Sequence, residues 1–90
     1  MPETYNGWKN YETWNVALYI NNEYELYQKA KKFMEMLNKR DWNRENAYRQ
    51  FVEWAHLKRK RTPDLVRYLC DELDYGELDA MLWELIDSEP

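Results

Sequence analysis

The chain reads as an all-α protein, a compact bundle of four to five short helices forming a single domain over residues 1–90. Three observations carry that expectation. Apolar residues recur at i, i+3, i+4 and i+7 along nearly the whole length, the period of a helix with one buried face. Only two Gly and three Pro interrupt the 90 residues, so elements are long and turns few. Aromatic residues make up 17% of the chain, with five Trp and eight Tyr, and side chains of that size suit one modest core. Residues 1–9 and 88–90 are expected to be loose tails.

The first helix is expected from Tyr11 to Ile20, with Tyr11, Trp14 and Leu18 on one face, Asn10 as N-cap and Asn21-Asn22 as the stop. A second, Glu23 to Asn38, places Leu26, Ala30, Phe33 and Leu37 in one stripe, with Glu25 and Lys29 as an i, i+4 pair. Residues 39–43 read as a link. A third helix, Arg44 to Lys60, turns Ala47, Tyr48, Phe51, Trp54 and Ala55 inward. Thr62-Pro63-Asp64 combines an N-cap residue, a first-turn proline and an acid at the positive end of the dipole. It predicts a fourth helix to Asp74 with Leu65, Leu69 and Leu73 buried, closed by Gly76 as a C′ residue. A fifth, Glu77 to Asp87, carries Leu78, Met81, Leu82, Leu85 and Ile86. No segment reads as a convincing strand.

The counts exclude several chemistries. One Cys, Cys70, and one His, His56, allow no intrachain disulfide and too few ligands for structural zinc, so no metal and no cofactor is expected. Ser88 is the only serine and lies in the tail, and Gly7 and Gly76 alone build no phosphate loop. Asp71 to Gly76 has the glycine of a calcium loop, but Leu73, Tyr75 and Leu82 fall where carboxylates are needed. Cys70 among Leu and Val reads as an inert core thiol, and no partner for it or for His56 suggests catalysis. The chain is therefore expected not to be an enzyme. No apolar run approaches the ~18–20 residues of a membrane span. The first ten residues lack the apolar stretch of a signal peptide, and a cytoplasmic protein without membrane contact is expected.

Charge is strongly segregated beneath the net −4. Residues 38–62 hold eight bases and three acids, whereas residues 63–90 hold nine acids and one base, Arg67. The acids Asp71, Asp74, Glu77, Asp79 and Glu84 are read as an exposed face that steers a basic partner, against the plainer alternative of a solvated surface. Arg44, Arg49, Lys58, Arg59, Lys60 and Arg61 are candidate phosphate contacts, or simply cations favoured at a helix C-terminus. A helix-turn-helix is disfavoured, because its recognition helix would carry Glu77, Asp79, Glu84 and Asp87 and no base.

The N-terminal segment holds the most distinctive pattern, Trp8-Lys9-Asn10-Tyr11-Glu12-Thr13-Trp14-Asn15-Val16-Ala17-Leu18, followed by Asn21-Asn22-Glu23 and Tyr27. It has a structural explanation. Asn10 caps, Thr13 or Glu12 returns a bond to the cap, and Trp8 staples against Trp14. Its functional counterpart is a polar-aromatic binding spot formed by Trp8, Asn10, Tyr11 and Asn15. Asn15 sits inside a helix, where Asn is unfavourable, so it needs a partner if buried and serves recognition if exposed. The pattern resembles the opening of a family of small phage-encoded proteins of unknown function, over roughly a quarter of the chain. The resemblance implies an origin, and with it a host-cell cytoplasm, but no activity.

The leading expectation is a small phage-type accessory protein that binds and inhibits or modulates a host protein, such as a nucleic-acid-handling or defence factor, through its acidic helical surface. The alternatives are a nucleic-acid binder using the basic third helix, and a structural helical subunit that associates with itself as a homodimer.

Overall fold

The first helix starts where the sequence sets its cap. In a computed structural model, which describes residues 4–39 and 45–87, Asn10 is extended and its Oδ1 accepts the Thr13 N–H at 2.9 Å. Helix α1 then runs Tyr11–Asn22 and buries Thr13, Asn15, Val16, Ala17 and Ile20. Its core face is therefore not the expected one of Tyr11, Trp14 and Leu18, of which Tyr11 is exposed and the other two are half-buried. Glu23 leaves the helical conformation but still donates to the Tyr19 carbonyl, and α2 follows at once over Tyr24–Lys39. Its buried residues, Ala30, Phe33, Met34 and Leu37, have the i, i+3, i+4, i+7 spacing of a single inward stripe.

Helix α3, Ala47–Trp54, is much shorter than the expected third helix. Of the predicted inner face Ala47, Tyr48 and Phe51 are buried and Val52 joins them, but Ala55 is only half-buried and Trp54, on the last turn, is exposed. The helix ends early because His56 adopts φ 61, in the left-handed region. The His56 N–H bonds back to the Glu53 carbonyl and the Leu57 N–H to the Val52 carbonyl, the pair of bonds of a Schellman stop. A glycine normally holds that position, and histidine there is strained. His56→Gly is therefore expected to stabilise the protein by about 0.5–1 kcal/mol. A thermal melt unchanged or lowered in that variant would show that the stop carries no strain.

The predicted helix from Thr62 to Asp74 does not form. Residues 60–68 instead make a small hairpin. Arg61 and Arg67 pair in antiparallel fashion, Thr62 N–H donates to the Val66 carbonyl at 2.8 Å, and Tyr68 N–H donates to the Lys60 carbonyl at 3.2 Å. Leu65 turns the tip at φ 71, a conformation no helix admits. The Thr62 hydroxyl does not cap a helix. It donates to Asn15 Oδ1 on α1 and accepts the Val66 N–H. The leucine spacing that suggested a helix is only half used. Leu73 is buried and Leu69 is partly buried, but Leu65 is 72% exposed, and Val66 and Tyr68 fill the core in its place. Cys70 lies in this irregular stretch rather than on a helix.

Helix α4, Tyr75–Asp87, begins two residues before the expected start, so Gly76 lies inside it rather than closing a preceding helix. Asp74 Oδ1 accepts the Glu77 N–H at 3.0 Å as its cap. Leu78, Met81, Leu82 and Leu85 face the core, and α4 packs against α1, α2 and α3. The fold is all-α, a compact single globule with four helices and no strand among the described residues. No helix among those residues is long and apolar enough to cross a membrane. The expected link at 40–43, the start of the third helix at Arg44 and the 88–90 tail lie outside the described residues.

Candidate partner-binding groove

Residues 5–9, expected to be loose, form a fastened turn. Tyr5 and Trp8 exchange two backbone hydrogen bonds of 2.7 and 2.8 Å. Between them Asn6 and Gly7 both have positive φ, 50 and 89, as a two-residue type I′ turn requires. Asn-Gly is the strongest short turn signal in the chain, and it is the feature from which this turn could have been read. Trp8 packs half-buried against the core, and the Lys9 N–H donates to Glu77 Oε1 at 2.8 Å, joining the turn to α4.

Between this turn and α4 lies an open groove of about 770 Å³. Its walls are Gly7 and Trp8 from the turn, Asn21 from the end of α1, and Glu77, Ala80, Met81, Glu84 and Leu85 from α4. Asn21 is oriented by its own helix, since its Nδ2 donates to the Ala17 carbonyl at 2.9 Å and lies 3.2 Å from the Met81 sulfur. Trp8, Met81 and Leu85 give the groove apolar area, and Glu77 and Glu84 give it negative charge.

Of the five acids assigned to one exposed face, Glu77 and Glu84 line this groove, and Asp71 is exposed on the loop before α4. Asp74 and Asp79 are half-buried and serve as caps, which corrects the expectation of a common exposed surface. Asp79 Oδ1 accepts the Tyr48 N–H at 2.8 Å, in the first turn of α3. Burial pushes the Asp79 carboxyl up from its usual 3.8, opposed by the Tyr48 N–H and Arg49, which pull it down. A carboxyl raised in the folded state favours its neutral form. Its ionisation therefore subtracts stability as pH rises from below 3.8 through the folded value. Asp79→Asn keeps an oxygen for the Tyr48 N–H and is expected to match or exceed the parent in stability at neutral pH, with the difference fading below pH 3.8. Asp79→Ala leaves that N–H without its acceptor and should cost about 1 kcal/mol. Melts of both variants across the acid range check the sign. An Asn variant less stable than the parent at neutral pH would remove burial as the governing cause.

The aromatic–asparagine group divides. Trp8 enters the groove. Asn10 and Asn15 are structural fasteners. Asn10 caps α1, its Oδ1 also accepts the Thr13 hydroxyl, and its Nδ2 donates to the Glu72 carbonyl at 2.6 Å. Asn15 is fully buried, with its Nδ2 donating to Asp64 at 2.8 Å and its Oδ1 accepting from Thr62 at 2.6 Å. Tyr11 is exposed and lies edge-on to Tyr5 at 5.4 Å. The ring that meets Trp14 most closely is Tyr5, at 4.8 Å, in the place expected for Trp8.

Among the candidate phosphate contacts, Lys58, Arg59, Lys60 and Arg61 are exposed on the segment leading into the hairpin. Arg49 stacks its guanidinium 4.2 Å from the centre of the Tyr75 ring, and Arg44 lies outside the described residues. Burial pushes the Cys70 thiol up from its usual value, the direction opposite to nucleophilic activation. Among the described residues, no group of three or more His, Cys, Asp or Glu is placed to hold a metal ion.

Residues 1–89 match the profile of a family of unknown function (DUF7249), and the chain belongs to that family. No curated protein and no solved structure matches it.

Proposed function

We propose that this DUF7249 member is a phage-type accessory protein that binds a host protein and modulates or inhibits it, taking a basic, apolar-anchored segment of that partner into the groove between the Tyr5–Trp8 turn and α4. The observation that carries the reading is the pairing, in one open groove, of an apolar wall of Trp8, Met81 and Leu85 with the acids Glu77 and Glu84. An apolar anchor supplies affinity in such a site, and the carboxylates select and steer a positive ligand. A nucleic-acid-handling host protein is a natural candidate, since its own binding site is basic. The phage origin draws its support from the pattern at residues 8–18.

The test is a titration of the labelled protein with a short synthetic Lys/Leu peptide, followed by amide chemical shifts. Changes are expected to cluster at Gly7, Trp8, Ala80 and Leu85 and to weaken with salt. Glu84→Lys should lower affinity roughly ten-fold. A second reading has its own observation, the run of exposed bases from Lys58 to Arg61. If the peptide leaves the groove unperturbed while a single-stranded oligonucleotide shifts residues 58–61 with a steep inverse salt dependence, the nucleic-acid reading replaces this one.

A further inference from the structure

The hairpin tip presents an anomaly. Leu65 combines a left-handed backbone, φ 71, with a side chain 72% exposed to water. Both properties are unfavourable for leucine, and Gly or Asn would serve the turn better. The surrounding residues are not loosely held. Thr62 and Val66 point inward and bond to each other's backbone or hydroxyl, and Thr62 is tied to Asn15. The hairpin thus holds an apolar residue outward on a rigid base. Arg61 and Arg67, paired just below the tip, and Lys58, Arg59 and Lys60, on the segment that leads into the hairpin, are all exposed. The one acid among them, Asp64, accepts hydrogen bonds from Asn15 and Tyr19.

An apolar tip on a stem that carries exposed bases is the chemical counterpart of the groove, whose apolar wall is accompanied by acids, although the side of the hairpin at Pro63 and Tyr68 faces Glu23 and Glu25 of its own chain. Helix α4 carries Glu77, Asp79, Glu84 and Asp87 and no base. The hairpin contributes no residue to the groove of its own chain, and lines instead a smaller depression with Glu23 and Leu26. We propose that the groove's resident ligand is a second copy of this chain, whose 60–68 hairpin inserts Leu65 against Trp8, Met81 and Leu85 while its bases meet Glu77 and Glu84. The inference rests on the groove being a docking site, and it names one occupant that a host partner would have to displace. Because hairpin and groove are different surfaces, the contact is head-to-tail, and a pair joined by one such contact still offers one free hairpin and one free groove.

Sedimentation of the whole protein over a concentration series, at low and high salt, reads the association directly. The mass is expected to rise above the 11.2 kDa of one chain at low salt and to return to it at high salt. Leu65→Glu disables the hairpin and Ala80→Arg disables the groove. Both positions are exposed, and retained helical circular dichroism confirms that each variant is folded. Each variant alone should remain at the single-chain mass, while a mixture of the two, which contains one intact hairpin and one intact groove, should give a species of two chains. A parent that stays at the single-chain mass, a Leu65→Glu variant that associates like the parent, or variants that fail to complement would each overturn the proposal. The Lys/Leu peptide titration separates the two ideas. Peptide binding without self-association sinks this inference alone, and loss of both sinks the groove as well.

Discussion

Asn15→Ala is expected to be the most damaging single change to a polar residue, at about 3 kcal/mol. Asn15 is completely buried in α1 and joins that helix to the hairpin through two side-chain bonds, to Thr62 at 2.6 Å and to Asp64 at 2.8 Å. Alanine removes both partners at once. The Thr62 hydroxyl, itself only 2% exposed, loses its acceptor, and each buried polar group left unsatisfied costs about 1–3 kcal/mol. Asp64 keeps only its longer bond from the Tyr19 hydroxyl, at 3.2 Å. Thr62→Ala breaks one of the same bonds, so the double variant should cost clearly less than the sum of the two single changes. Thr62→Ser, which keeps the hydroxyl, should be much milder. Urea denaturation measures all four. An Asn15→Ala protein within about 0.5 kcal/mol of the parent would mean that the hairpin is held by its apolar residues alone.

Phe51→Ala should cost about 3–5 kcal/mol, and Trp54→Ala distinctly less. The sequence suggests the opposite emphasis, since Trp54 is the larger ring on the same apolar face. In the fold Phe51 is fully buried, with Phe33 at 6.0 Å and Tyr48 at 6.5 Å, so its removal opens an enclosed cavity. Trp54 lies on the last turn of α3, 36% exposed, and rests on Phe33 at 5.3 Å. Water can enter the space it leaves, so the cavity contribution is largely lost. Equal melting temperatures for the two variants would show that the end of α3 is more enclosed than this geometry implies.

These cases mark what local sequence can and cannot convey. Helices α1 and α2 are legible to within one or two residues because an N-cap at Asn10 and a continuous stripe from Ala30 to Leu37 are local facts. The 62–74 segment misleads because Thr-Pro-Asp is an equally good start for a helix and for a tight hairpin. The decision falls to a bond between Thr62 and Asn15, 47 residues apart, which no local window contains. The end of α3 is hidden for a related reason, since its stop rests on a histidine rather than a glycine. In the groove, the acidity of α4 is plain from composition, but composition gives no direction. Asp74 and Asp79 turn to cap helices while Glu77 and Glu84 line the groove. That Trp8 should share a site with those two acids depends on how the chain closes. Only the Asn6-Gly7 turn that presents Trp8 was open to a local reading.

That closure also bears on the order of events during synthesis. The start of the chain is held by its last third. Lys9 bonds to Glu77, Asn10 to Glu72, and Thr13 to Asp74. The long-range contacts that tie the first turn and the first helix to the rest of the fold therefore become available only after residues 72–77 have emerged from the ribosome. At translation speeds of about 5–20 residues per second, the aromatic N-terminal segment waits several seconds for its partners. Throughout that interval Tyr5, Trp8, Tyr11 and Trp14 rest on the local bonds of the Tyr5–Trp8 turn and the Asn10 cap, without the long-range bonds that later join them to α4 and the loop before it.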